Sequence, residues 1–559
     1  MPTVSAHVAL TLARHVSDVF GVMGNGNAYF LDALEEQTSA TFTAVRHEAG
    51  GVVAADAYFR AGGGIAAATS TYGAGFTNTL TALAEAVQAR VPLVLVVGDE
   101  PTSGPRAWDV DQIAMASAVG ARTYTVGRAD AAATTIIAIE HALAYRTPAV
   151  LAIPYDVAAF EAGPVPEVTE PRLPAPLEPD GPFTAASIRD AAAALSRAER
   201  PFLLAGRGAW LAGAGGDLGE LADATGALTA STALGRGVFP DSGHDLGVTG
   251  GFGAEDAMQL VREADVAVVF GASLNQFTMR FGELFSPGTR VIQVDTAPAA
   301  THPHVGAYIR GDARVVARAL VAELRVLGTS STRWRDRVDA TAARSYPRGG
   351  DSAPDGRLDP RSAATRIGEL LPVDRVVVSD GGHFIGWANM YWSVAAPDRM
   401  IMVGTAFQSI GLGFASVPGA ALARPTSTIV LTTGDGGGLM ALADLESAIR
   451  AAGGRGLAVV WNDAAYSAEV HLYARRGLSR DPMMIPEVNF AGLADAVGAE
   501  GVIVRELADL DRLADWVLTP PAERRFLLLD LRISGDVVAP YQEEIIRVNL
   551  KGSAAAAAR

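Results

Sequence analysis

The chain has 559 residues, of which 49% are hydrophobic and 19% charged, with a formal net charge of −16 and no cysteine. A chain of this length and apolar content predicts about two to four domains with large cores. The acidic balance argues against nucleic acid or an anionic membrane as the main partner, and the lack of cysteine excludes disulfides, thiolate catalysis and cysteine-based metal sites. No apolar run reaches membrane-spanning length, since Val91 to Gly98 has only the length of a buried strand. Met1 to Val16 has no basic start leading into an apolar core, because His7 and Arg14 interrupt it. The expectation is a cytoplasmic protein.

The first block, residues 1–162, alternates strands and helices. Thr41 to Val45 reads as a short strand, Gly51 to Arg60 as a helix, Gly64 to Ala68 as a strand, Phe76 to Ala89 as an Ala-rich helix and Val91 to Val97 as a buried strand. Gly163 to Pro182 is dense in proline and acidic residues and reads as an extended linker. The second block, residues 183–328, carries strands at Pro201–Ala205, Val266–Phe270 and Arg290–Val294. A second, polar stretch from Gly328 to Pro360 reads as another linker. The third block, residues 358–545, carries strands at Arg375–Val378, Thr428–Leu431, Leu457–Trp461 and Phe526–Leu529. Short β-rich runs alternating with helices predict three α/β domains, each a doubly wound parallel sheet covered on both faces.

One motif in the third block carries chemistry. Gly434-Asp435-Gly436-Gly437 follows the strand from Thr428, a helix is predicted over Leu439–Ala452, and the next strand ends in Asn462. Two oxygen ligands then stand side by side at the carboxyl ends of neighbouring parallel strands, where open α/β sheets bind ligands. A hard cation such as Mg2+ takes oxygen donors and bridges to substrate phosphates. The spacing points to a diphosphate held through a metal.

This arrangement resembles the cofactor motif of thiamine diphosphate (ThDP) enzymes of the acetolactate synthase, benzoylformate decarboxylase and pyruvate decarboxylase-like superfamily. The resemblance implies Asp435, Asn462 and the Ala464 backbone carbonyl as the protein's metal ligands, with Tyr466 close behind. Asp463 stands where many members have a second Asn. The resemblance also implies a buried Glu that activates the aminopyrimidine ring, and Glu48 in Arg46-His47-Glu48-Ala49-Gly50 matches it. A carboxyl of raised pKa in a dry pocket can exchange a proton with a ring nitrogen. Read from residues alone, Glu48 is a helix-start acid favoured by the dipole.

Further positions match the same pattern. Gly73, Gly75 and Asn78 fall in a Gly-Pro-Gly-x-x-Asn-like turn, with Ala74 in place of proline. Gly24, Asn25 and Gly26 fall in a loop that faces the substrate side of the cofactor. Gly404 is expected to offer its carbonyl to the aminopyrimidine, and Ile410 to wedge under the cofactor and bend it; without the resemblance, Ile410 reads as a core residue. The central block resembles a domain that in some members binds FAD or an adenine nucleotide, and its Gly-rich turns do not by themselves call for FAD.

The implied chemistry is decarboxylation of a 2-oxo acid through a C2 carbanion and an enamine, which then takes a proton or attacks an aldehyde or oxo-acid acceptor. Candidate substrate-side residues are Asn25, Gln112, His383, Tyr466 and Glu469, with His383 a proton relay or a structural residue. No His-His pair follows the second strand of the first block, which argues against a plain pyruvate decarboxylase, and Asp111 stands where acetolactate synthases usually have Phe. A 2-hydroxyacyl-CoA or oxalyl-CoA lyase and a non-catalytic ThDP-fold binding protein are the alternatives. Family sites lie between two subunits, so a homodimer or a dimer of dimers (a homotetramer) is expected.

Overall fold

The computed structural model describes residues 2–557 apart from Val168 and Asp180, both of which fall in the predicted first linker. Three six-stranded parallel sheets follow one another along the chain. The first holds β1 (Asp18–Gly21), β2 (Thr41–Ala44), β3 (Ala66–Ser70), β4 (Leu93–Asp99), β5 (Arg122–Thr125) and β6 (Ala149–Pro154). The second holds β7 (Pro201–Ala205), β8 (Leu228–Ser231), β9 (Asp245–Val248), β10 (Val266–Phe270), β11 (Arg290–Asp295) and β12 (Val305–Arg310). The third holds β13 (Arg375–Ser379), β14 (Met400–Met402), β15 (Thr428–Gly434), β16 (Gly456–Asn462), β17 (Glu500–Val504) and β18 (Leu527–Arg532). Central strands such as β4, β15 and β16 are buried along their whole length, as expected of parallel strands covered on both faces.

The first and third sheets share one strand order, β2-β1-β3-β4-β6-β5 and β14-β13-β15-β16-β18-β17. The second is ordered β12-β11-β10-β7-β8-β9, the doubly wound arrangement associated with dinucleotide binding. The first and third domains also pack on each other. Helix Glu48–Arg60 lies against helix Gly413–Ala423, and Val52, Ala54 and Ala57 join Phe414, Val417 and Ala420 in one core. The approach is close enough that a Cβ on Gly419 would lie 1.9 Å from the Ala54 carbonyl oxygen.

Some predicted elements shift. The helix expected over Leu439–Ala452 is two helices, Asp435–Met440 and Leu445–Ala452, joined by a 3-10 turn at Leu442–Asp444. Asp444 breaks the run by accepting from the Arg46 amide (2.8 Å) and the Ser447 hydroxyl (2.9 Å). The described residues between Gly163 and Pro179 form no helix or strand, and helix Gly181–Arg197 begins inside the predicted linker. The second predicted linker is packed rather than free. Arg344 donates to the carbonyls of Ser242 (2.7 Å) and Asp245 (2.6 Å), Tyr391 donates to the Pro347 carbonyl (2.9 Å), and Tyr346 packs on the second and third cores. Among the described residues, no helix is long and apolar enough to cross a membrane.

Candidate active site

β15 pairs with β16 in the register Gly434↔Trp461, so Asp435 and Asn462 leave the sheet beside each other. Both are buried, at 3% and 0% exposure. The Asn462 amide donates to the Val488 carbonyl (3.0 Å) and to Asp530 Oδ1 (2.9 Å), which fixes its flip and leaves Oδ1 as the free acceptor. Asp435 Oδ1 accepts the Gly436 N–H (2.9 Å). Among the described residues, Asp435 Oδ2 and Asn462 Oδ1 are buried without a hydrogen-bond partner. Each such orphan costs about 1–3 kcal/mol, and two adjacent oxygen acceptors suit a hard cation. Ala464 holds a left-handed backbone at φ 61, and its carbonyl accepts the Ile485 N–H (2.9 Å) with one lone pair, leaving the other. No group of three or more His, Cys, Asp or Glu side chains suited to a metal occurs among the described residues. The donor set here is one carboxylate, one amide and one carbonyl.

Burial, and then the neighbouring Asp463 carboxylate, push the Asp435 carboxyl up to about 7. Burial likewise raises Asp463, whose Oδ2 accepts from the Ser467 hydroxyl (2.6 Å). The exchange of Asn for Asp at 463 therefore matters electrostatically. It places a second carboxylate beside the first. The Tyr466 ring packs directly on Gly436, where a Cβ would come within 2.6 Å of it.

The neighbouring strand ends complete this face. Asp380, just past β13, is fully buried and accepts from the N–H groups of Gly381 (2.8 Å) and Gly411 (3.0 Å) and from the Thr433 hydroxyl (3.0 Å). Sequence reasoning missed it, although an acid directly after the strand Arg375–Ser379 was the available signal. The loop after β14 brings Gly404 and Ile410 to the same edge. Ile410 is half-buried rather than core, and Gly404, at φ 107, gives its carbonyl to the Ser409 N–H (2.8 Å).

The first sheet repeats this pattern. Glu48 follows β2, Asn25 follows β1, Gly73 and Asn78 follow β3, and Gln112 follows β4, all on adjacent strands. Glu48 is expected to be buried; within one chain it is half-buried, and its Oε2 accepts from the Asn78 amide (2.9 Å). Asn78 thus orients Glu48. Asn25 is exposed, while Asn27 builds its loop by accepting from the Gly24 N–H (2.8 Å) and donating to the Val22 carbonyl (3.0 Å) and the Thr69 hydroxyl (3.0 Å).

Gln112 and His383 are both engaged inside the fold. Gln112 does not face open space: its Oε1 accepts the Gly73 N–H (2.8 Å) and its amide donates to the Gly98 carbonyl (3.0 Å) and Asp99 Oδ1 (3.1 Å). These bonds tie the Gly73 turn to the end of β4. Of the two roles expected for His383, proton relay or structural residue, its surroundings fit the structural one. Burial, and then repulsion from His471, hold its ring down at about 3, and its Nε2 accepts the Ala539 N–H (2.9 Å), which leaves the proton on Nδ1. Tyr541 donates toward the Gly382 and His383 carbonyls, closing the C-terminal segment over this loop. Glu469, the remaining substrate-side candidate, is exposed.

The architecture is that of a three-domain α/β enzyme built on parallel sheets. Three family models match it in order: the thiamine pyrophosphate enzyme N-terminal TPP binding domain over residues 2–118, the central domain over 188–320 and the C-terminal TPP binding domain over 380–531. An acetolactate synthase of Mycobacterium leprae is 28% identical over 510 residues, covering 87% of this chain and 80% of that protein. A probable acetolactate synthase large subunit of Methanocaldococcus jannaschii is 28% identical, covering 77% and 74%. A sulfoacetaldehyde acetyltransferase of Rhodobacter capsulatus is 27% identical, covering 97% and 96%. The chain belongs to the thiamine pyrophosphate enzymes, and ThDP is its cofactor.

Proposed function

We propose that this enzyme uses ThDP and Mg2+ to decarboxylate a 2-oxo acid and to pass the remaining acyl unit to a proton, an aldehyde or a second oxo acid. The observation that carries this reading is the pair of buried, unpartnered oxygens on Asp435 and Asn462, the first on a carboxyl whose pKa burial raises. These two side chains and the Ala464 carbonyl would hold the cation, which in turn anchors the diphosphate. When bound, ThDP would supply a nucleophilic carbanion and, in its cationic thiazolium ring, the sink for the electron pair released by CO2 loss. Glu48 would hold and move the proton at the aminopyrimidine nitrogen, steered by Asn78. Ile410 would set the bend of the cofactor, and Tyr466 and Asn25 would face it from the two domains.

Glu48 is half-buried in a single chain, and exposed apolar side chains flank both halves: Met23, Trp108 and Ile113 on the first domain, Phe407 and Met440 on the third. That supports a homodimer, or a dimer of dimers, in which the first domain of one subunit covers the third domain of the other. We place the domains at residues 1–162, 183–328 and 358–545 and the protein in the cytoplasm. In the second sheet the turns after β7 and β10 bond to each other, Gly208 N–H to the Gly271 carbonyl at 3.0 Å. A second reading, acetyl transfer with a sulfonated aldehyde as substrate, draws support from the end-to-end match to a sulfoacetaldehyde acetyltransferase. Titration with ThDP and Mg2+ tests the core of the proposal: saturable binding with turnover lost in Glu48→Gln is expected, and absence of binding would overturn it.

A further inference from the structure

The loop between β14 and helix Gly413–Ala423 is built from strained backbone. Gly404, Gln408 and Gly411 all have positive φ, at 107, 61 and 80. A non-glycine residue such as Gln408 persists there only where its surroundings over-determine it. Internal bonds contribute through Ser409 N–H to the Gly404 carbonyl (2.8 Å) and the Gln408 amide to the Thr405 carbonyl (2.8 Å). Asp380 grips the far end at Gly411.

The middle of the loop is held from another domain. Glu85, on helix Leu80–Gln88 of the first domain, is completely buried, and its Oε2 accepts the Phe407 N–H at 2.7 Å. Its Oε1 accepts from Arg60 Nη2 at 2.9 Å. Arg60 is itself buried, paired with Asp56, and donates through Nη1 to the Met402 carbonyl at 2.7 Å. The near end and the crest of the loop are therefore both tied to one buried Asp56–Arg60–Glu85 cluster. Arg207 of the second domain lies close enough to feel all three charges, which offsets the excess carboxylate. Helix Glu48–Arg60 carries Glu48 at its start and this grip at its end.

We propose that Glu85 is a positioning residue for the cofactor: through the Phe407 N–H and Arg60 it fixes the loop that presents Gly404 and Ile410. The inference rests on the reading above that this loop meets the aminopyrimidine. The alternative is that Glu85 merely neutralises Arg60 inside the first domain, and the two predict different results.

The test compares wild type, Glu85→Gln and Arg60→Lys as full-length chains. Hydrogen exchange of the cofactor-free protein is followed in peptides covering 403–412 and in helices Glu48–Arg60 and Leu80–Gln88. ThDP affinity with Mg2+ is measured by tryptophan fluorescence. Loss of a charge-assisted bond predicts roughly tenfold weaker ThDP binding or more, together with faster exchange confined to 403–412. Arg60→Lys keeps the charge but loses the forked geometry, and is expected to loosen the same peptide, which keeps the test open if Glu85→Gln fails to fold. Unchanged ThDP affinity, or faster exchange confined to the two first-domain helices, would overturn the proposal. Failure of the wild type itself to bind ThDP would instead sink the cofactor reading, and the exchange data would still judge the grip on the loop.

Discussion

Asp435→Asn should stabilise the cofactor-free protein while abolishing its response to cofactor. Asp435 is 3% exposed, one of its carboxylate oxygens has no partner, and its pKa is raised from 3.8 to about 7. A folded pKa above the unfolded value means that the bound proton favours the folded state. That stability is complete below about pH 4 and is lost as pH rises through about 7. At about 1.36 kcal/mol per unit, the ceiling near pH 8 is about 4 kcal/mol. Asp463 shares the repulsion and the site relaxes, so about 2 kcal/mol is the working figure. Asn removes the charge, and its amide can donate toward Asp463. In EDTA at pH 8 the variant should therefore melt roughly 2 °C above wild type, with the gap closing toward pH 5. With Mg2+ and ThDP at a hundredfold excess over Kd, wild type should gain about 2.7 kcal/mol and the variant nothing, which inverts the order. A cofactor-free variant less stable than wild type at pH 8 would refute the idea that this carboxylate is held at a cost for the cation.

Glu48→Gln should lower turnover by about 10²–10⁴ while leaving ThDP affinity nearly unchanged; parallel loss of both, measured by steady-state kinetics and fluorescence titration, would argue for a structural role. Gln112→Ala deletes a buried amide with three hydrogen bonds and should cost about 2–3 kcal/mol in the cofactor-free protein, read by denaturant melts; unaltered stability would return Gln112 to the substrate side. His383→Gln should leave the shape of the pH–rate profile unchanged between about pH 6 and 8, because the ring is already neutral there; disappearance of a limb in that range would restore it as a relay.

Most strands that were legible in the sequence are central ones, although the edge strand β2 was read and the buried β6 was not. β7 and β10 begin and end where the apolar runs do, since a parallel strand buried on both faces is a continuous run of Val, Leu and Ile. β5 and β17, at the edges of their sheets, carry Arg122, Thr125 and Glu500 and lie half in solvent, so hydropathy does not mark them. The pairing of Asp435 with Asn462 was legible because the two are close in sequence and their strands are neighbours. The roles of Gln112 and His383 were not, because they depend on the Gly98 carbonyl and the Ala539 N–H, partners that only the fold brings near. The Glu85 grip on Phe407 joins residues far apart in the chain and from different domains, and no local pattern announces it.

The most direct test of the proposed chemistry is CO2 release from a panel of 2-oxo acids, with and without an aldehyde acceptor. It would be run on the full chain with ThDP and Mg2+ and on Glu48→Gln and Asn462→Ala alongside. CO2 release from at least one 2-oxo acid, dependent on ThDP and Mg2+ and lost in both variants, is the predicted result. Tight ThDP binding with no CO2 from any member of the panel would contradict it.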